Sequence, residues 1–271
     1  MYSPIWYVKI LQKVFPVKLI YRMTNWPVVG RILESIFFRG DDVTCLAKDS
    51  VISIDETVAD VDSIVLPSRV AEYFIDKACH IVKMDFCFCR QAMKCSAYGS
   101  TGYGCLFLGE AASGINPQLG RSVSKEEAIE HLRRCREAGL YHLMGHFRID
   151  TRWLLVGPFS KLLTICNCCP CCCLWKNLPS MSASINSNVK SLPGVKVKVT
   201  DRCSGCGTCA GGVCFVNAIS IEGDRAAISE ACRGCGNCVS VCPEGAIELT
   251  IEDNSYMESV ASRISTLIDV T

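Results

Sequence analysis

Two cysteine runs late in the 271-residue chain limit its fold more than any other feature. The first is Cys203-x2-Cys206-x2-Cys209-x4-Cys214, and the second is Cys232-x2-Cys235-x2-Cys238-x3-Cys242-Pro243. A cubane iron–sulfur cluster needs four thiolates in a tetrahedral array. A Cys-x2-Cys-x2-Cys loop wraps three corners and points backbone N–H groups at the sulfides. Gly205, Gly207, Gly234 and Gly236 permit the close approach and the turns this requires. Two zinc knuckles are the competing reading. Zinc sites, however, pair two Cys-x2-Cys units rather than a triplet and a distant fourth thiol.

Cysteine is also the compositional outlier, at 21 residues, an odd number that cannot pair completely into disulfides. Lys9, Lys13, Lys18 and Arg22 interrupt the apolar N-terminus, so no secretory leader is expected there. No stretch approaches the ~18 uninterrupted apolar residues of a membrane span. The expected setting is a reducing cytoplasm in which cysteines bind metal. A hydrophobic fraction of 49% with 20% charged residues excludes wholesale disorder. With 28 Lys+Arg against 27 Asp+Glu, the chain is not expected to bind nucleic acid.

Residues 194–252 resemble a bacterial-type ferredoxin domain carrying two [4Fe-4S] clusters. The resemblance implies a pseudo-two-fold fold of two short hairpins and two short helices. It implies that Cys203, Cys206, Cys209 and Cys242 hold one cluster, and that Cys232, Cys235, Cys238 and Cys214 hold the other. Ala218-Ile219 and Ala246-Ile247 match the apolar pairs that follow each fourth cysteine in the family. Ile219 to Ile228, with Glu222-Gly223-Asp224 at the turn, reads as a hairpin between the runs. Two departures concern the first run. It has one extra residue before Cys214, which Gly211 and Gly212 can absorb, and Phe215 stands where the family has proline.

Two further groups lie upstream. Cys87, Cys89, Cys95 and Cys105 fall within nineteen residues, and Cys166, Cys168, Cys169, Cys171, Cys172 and Cys173 make up six of eight consecutive positions. Structural cysteines occur singly as small hydrophobes, so packing does not account for such density. Side chains alternate on extended backbone, so one strand can offer thiolates to two sides. The two groups are expected to meet around one or more additional iron–sulfur clusters, with a single zinc and spare thiols as the alternative. Arg90 is either a donor to cluster sulfides or substrate, or an ordinary surface arginine. Glu110 is either a helix-surface acid or a buried proton carrier. Cys45, Cys79 and Cys135 read as isolated core residues, and His142 and His146 as polar residues near a helix end.

The expected fold is α+β: a ferredoxin-like two-cluster module joined to a mixed α/β Cys-rich metal-binding domain with a helical N-terminal arm. Residues 1–40 form the basic amphipathic arm, divided at Pro16 and Pro27 and docked on its own domain or a partner, with peripheral contact to the inner membrane face as the other option. Residues 41–178 form the Cys-rich domain, 179–193 a Ser/Asn-rich linker or surface-wrapping segment, 194–252 the ferredoxin module and 253–271 an amphipathic helix. Within the Cys-rich domain, helices are expected over 67–79 and 123–139. The second carries a Ser124–Glu127 capping box and an inward stripe of Ile129, Leu132 and Cys135. Residues 152–166 read as buried strand broken at Gly157-Pro158. The resulting expectation is an electron carrier serving a redox partner protein. The alternative is a ferredoxin-fused reductase acting on a small substrate.

Overall fold

Seven strands in one sheet organise the chain in a computed structural model that describes residues 2–51, 66–252 and 255–271. Helices α1 (Ile5–Val14), α2 (Lys18–Met23) and α3 (Val29–Phe37) come first, broken at the two prolines as expected. There follow β1 (Asp42–Leu46), α4 (Ser68–Lys77), β2 (Ile81–Met84), α5 (Phe88–Ala92), β3 (Leu106–Leu108) and β4 (Gly120–Ser122). Next come α6 (Lys125–Glu137), β5 (Tyr141–His146), α7 (Arg148–Leu154), β6 (Leu163–Cys168), α8 (Ala183–Ser187) and β7 (Val189–Ser191). The sheet order is β4-β2-β3-β6-β5-β1-β7, antiparallel throughout except for the parallel β1–β7 pair.

The two sheet faces have different fates. Leu163 and Ile165 of β6 join the core under α4 and α6, with Val70, Phe74, Ile75, Ala128 and Leu132. Cys166 and Cys168 of the same strand turn to the opposite face, with Tyr141 and Leu143 of β5 and Val43 and Cys45 of β1. The α6 capping box forms as read: Ser124 Oγ accepts from the Glu127 N–H, and Glu127 reaches back to the Ser124 N–H at 3.1 Å. Its buried positions are Ala128, His131, Leu132 and Cys135, while Ile129 is only half-buried.

The remainder of the chain forms β8 (Val195–Val199), β9 (Ile219–Glu222), β10 (Arg225–Ile228), α9 (Asn237–Val241), β11 (Ile247–Ile251) and α10 (Tyr256–Leu267). Helix α10 returns to the main body, where Tyr256, Val260 and Ile264 join the core of Phe74, Ile75 and Met144. Both ends of the Cys-rich repeat are pinned at Asp42 of β1. Its carboxylate takes Lys190 of β7 at 2.5 Å and pairs with Arg263 of α10.

Three readings are corrected. Residues 179–193 are not a free linker. Ser182 caps α8, the Asn186 side chain donates to the Leu178, Met181 and Ser182 carbonyls, and β7 adds a strand to the sheet. The Ser/Asn richness serves local caps and turns. The first part of 152–166 is helical, closing α7. There Asp150 accepts from Trp153 Nε1 at 2.9 Å and Thr164 Oγ1 at 2.8 Å, and only Leu163 onward is strand. Cys79 is exposed rather than in the core, at the loop where its N–H donates to the Val270 carbonyl. Part of the 41–80 stretch, residues 52–65, lies outside the described residues.

The arm is docked. Val8, Tyr21 and Phe38 are buried, Ser3 Oγ donates to the Trp153 carbonyl, and Asn25 Nδ2 donates to the Ser180 carbonyl. It nevertheless leaves Trp6, Leu19, Trp26, Val28 and Ile32 about half or more exposed. Among the described residues, no helix is long and apolar enough to cross a membrane.

Candidate metal centres

The repeat builds its sulfur sites from two small antiparallel sheets, the β9–β10 hairpin between the runs and β8–β11 joining the ends. Only the second run continues into an α-helix, α9. The first makes a single 3-10 turn at Thr208–Ala210, ended by Gly211-Gly212 with Gly212 at φ +83°. This is where the extra residue of the first run is absorbed.

Cys203, Cys206, Cys209 and Cys242 line one small cavity, which places a thiol of the second run beside three of the first. Cys214 joins Cys232, Cys235 and Cys238, whose thiols act on one another electrostatically. The two fourth cysteines are matched by symmetry. The Ala218 N–H donates to Cys214 Sγ at 3.2 Å, and the Ala246 N–H to Cys242 Sγ at 3.3 Å. Further N–H donors reach Cys203 from Ala226 and Cys232 from Gly234, both at 3.4 Å. Such bonds favour thiolate over thiol. Gly205 shows why the loop needs glycine: at φ +68° an added Cβ would lie 2.6 Å from the Asp224 carbonyl oxygen. Burial pushes the Cys235 and Cys238 thiols up to about 12, so bare thiolates there are costly and a bound cation would relieve the cost. The residues present therefore fit iron–sulfur clusters.

The upstream thiols meet because β3 and β6 pair in register, Leu106 opposite Ile165. Cys105, just before β3, lies 3.8 Å from Cys166, sulfur to sulfur, and Cys168 lies 3.1 Å from Cys173. The Cys87 thiol interacts electrostatically with those of Cys105 and Cys89, Cys166 with Cys168, and Cys89 with Cys173. These six thiols form one group, called the ring below. It borders an apolar cavity of about 250 Å³ whose walls include Tyr21, Phe88, Trp153 and Trp175. The remaining four, Cys95, Cys169, Cys171 and Cys172, gather beside it, with all four sulfurs within 4.8 Å of one another, and Cys169 also lines the cavity.

Arg90 is not a surface arginine. It is 1% exposed, and its guanidinium donates to the Asn167 carbonyl at 2.8 Å and to the Tyr103 carbonyl. Its Nε is buried without a partner, and the thiols of Cys87, Cys169, Cys105 and Cys168 surround the charge. One fixed cation cannot balance six ring thiolates, and burial pushes the Cys168 and Cys173 thiols up. Metal cations among them would supply the missing charge.

The other singled-out residues separate cleanly. Glu110 is an exposed acid, 3.6 Å from Lys161. His142 and His146 lie on a strand, not near a helix end, and burial pushes His142 down to about 3, so it is neutral at pH 7. Cys135 is fully buried, 3.7 Å from His131 Nε2. Cys45 is buried as read, but in the same apolar core as Cys235. The sequence signal missed here is its place on β1 beside the second thiol set.

Residues 227–248 match the family of 4Fe-4S binding domains. That stretch contains Cys232, Cys235, Cys238 and Cys242. The chain therefore carries a ferredoxin-type iron–sulfur domain with at least one 4Fe-4S cluster. No curated protein and no solved structure matches the chain.

Proposed function

We propose that this chain is an iron–sulfur electron-transfer protein that serves a redox partner protein through three centres. In this reading Cys203, Cys206, Cys209 and Cys242 hold one [4Fe-4S] cluster. Cys232, Cys235, Cys238 and Cys214 hold a second. The ring of Cys87, Cys89, Cys105, Cys166, Cys168 and Cys173 holds a further iron–sulfur centre. Bound in these sites, such clusters supply one-electron redox couples.

The observation that carries the reading is a shared core. Cys235 of the second set and Cys168 and Cys173 of the ring belong to one apolar cluster, bridged by Tyr141 and Phe215, whose rings stack at 5.0 Å. Tyr141 sits directly opposite Cys168 in the β5–β6 register. The protein thus keeps the two thiol sets close, dry and fixed, which is what a relay requires of its residues.

Iron content tests this. Two cubanes account for about 8 Fe, so anaerobically purified protein is expected to contain more than ~8 Fe per chain. A fully loaded preparation that stops at two clusters' worth would remove the upstream centre.

A second reading is supported by the cavity of about 250 Å³ beside the ring. A small substrate seated there would meet the thiol-held centre, making the chain a reductase fed by its own ferredoxin domain. An iron held by fewer than four protein ligands, detected as a new EPR signal when small ligands are added, would favour this reading over a pure relay.

For location, the arm supports peripheral contact with an anionic bilayer. Trp6, Ile10, Leu19, Trp26 and Ile32 stay exposed among Lys9, Lys13, Lys18, Arg22 and Arg31, and Glu34 is the single acid of residues 1–40. Anionic vesicles are expected to sediment most of the protein at low salt and release it as salt rises. Failure to sediment at low salt would leave the arm with only its docked role.

A further inference from the structure

The four thiols outside the ring have the spacing of a different kind of centre. Four sulfurs bound at about 2.3 Å to one tetrahedral zinc ion lie about 3.8 Å apart. Cys95 and Cys171 are 3.6 Å apart, and no pair among Cys95, Cys169, Cys171 and Cys172 exceeds 4.8 Å. On a cubane each thiolate binds its own iron on the outside of the cluster. Its four sulfurs are therefore spread by the width of the iron–sulfide core. The four here converge on a space the size of one ion.

The surroundings also suit a tetrathiolate. The Ala97 and Tyr98 N–H groups act on the Cys95 sulfur in the direction that favours thiolate, and the Cys172 N–H acts likewise on that of Cys169. These are the outer contacts that orient metal-bound sulfurs and disperse their charge. Pro170 turns the chain sharply within residues 170–172, so Cys171 and Cys172, which would diverge on a strand, approach one point. Neither segment could supply the site alone: one thiol comes from beyond the end of α5 and three from the turn after β6.

We propose that Cys95, Cys169, Cys171 and Cys172 bind a single structural zinc ion, separate from any iron–sulfur centre. All four positions are filled by protein, so the site is closed to substrate. The two segments it joins also carry the ring: Cys87 and Cys89 lie just before Cys95, while Cys168 and Cys173 flank the turn. The ion would staple these segments and so set the ring's geometry. Zinc is redox-inert, so it would hold the ring together without taking an electron from it.

The test uses the full chain, purified anaerobically from cells given both iron and zinc. Elemental analysis is expected to find one zinc per chain, and zinc-edge X-ray absorption four sulfurs at about 2.3 Å. The C95S and C171S variants are expected to lose that zinc while retaining the iron signals of the C-terminal domain. C171H is expected to retain it with one sulfur replaced by nitrogen. Protein without zinc, zinc bound through nitrogen or oxygen in the unaltered chain, or full zinc retention in both serine variants would overturn the proposal. If the variants fail to fold, the absorption spectrum of the unaltered chain still decides. The iron count of the same sample is a separate number, so loss of the zinc site and loss of the electron-transfer reading can be told apart.

Discussion

Changing Cys242 to alanine should damage the cluster distant from it in sequence and spare the one whose loop precedes it. Cys242 shares its cavity with Cys203, Cys206 and Cys209, whereas Cys232, Cys235 and Cys238 take Cys214 as their fourth neighbour. The variant should lose between about one and four irons, and the EPR signal of the first set should vanish or convert to that of a three-iron species. The matching change, C214A, should strike the other cluster. Loss of the Cys232–Cys238 cluster in C242A would mean that each run serves its own cluster, and loss of the same signal in both variants would mean that Cys214 and Cys242 serve a single centre. The alanine also leaves the buried N–H of Ala246 without its sulfur acceptor, which costs the fold about 1–3 kcal/mol, so the loss of signal is read on folded protein.

The second large effect belongs to the ring. Cys105, just before β3, and Cys166, on the neighbouring strand β6, have their sulfurs 3.8 Å apart, and each can be changed to serine. If both hold one centre, the two single variants should abolish the same spectroscopic feature while the C-terminal clusters remain reducible. Metal-ligating thiolates also resist alkylation, so all six ring thiols should be protected in loaded protein and reactive after chelation. Should every ring cysteine accept serine with unchanged iron content and EPR, the ring would be a thiol store. The reductase reading would then rest on thiol chemistry instead of a cluster.

What could be read from the residues was whatever depends on local spacing. The Ala218–Ile219 and Ala246–Ile247 pairs are visible in the linear sequence, and the same alanines supply the N–H donors to the two fourth cysteines. The Ser124–Glu127 box and the buried stripe of Val70, Phe74 and Ile75 follow from helical period alone. The division of the upstream cysteines into six and four was hidden. It depends on the β3–β6 register and on the turn at residues 170–172, which brings Cys171 and Cys172 back to Cys169. Arg90 was equally opaque, since nothing local announces that its partners are the carbonyls of Asn167 and Tyr103. Residues 179–193 misled because Ser and Asn are the residues of both caps and linkers, and only the parallel pairing of Val189 with Val43 distinguishes the two.

The salt bridges at Asp42 have a mechanical consequence. The ferredoxin domain leaves the main body at β7 and rejoins it at α10, and the Lys190 and Arg263 charges at those two points close on one carboxylate. It is mounted like a bracket on two screws, not trailed on a tether. Domains on single flexible tethers can gate electron flow by swinging, and solvent drag then enters their rates. Here the two attachments oppose such a swing. In the proposed relay, traffic between Cys235 and the ring would pass the packed rings of Tyr141 and Phe215, leaving docking of the proposed redox partner as the step that a change in the medium could throttle.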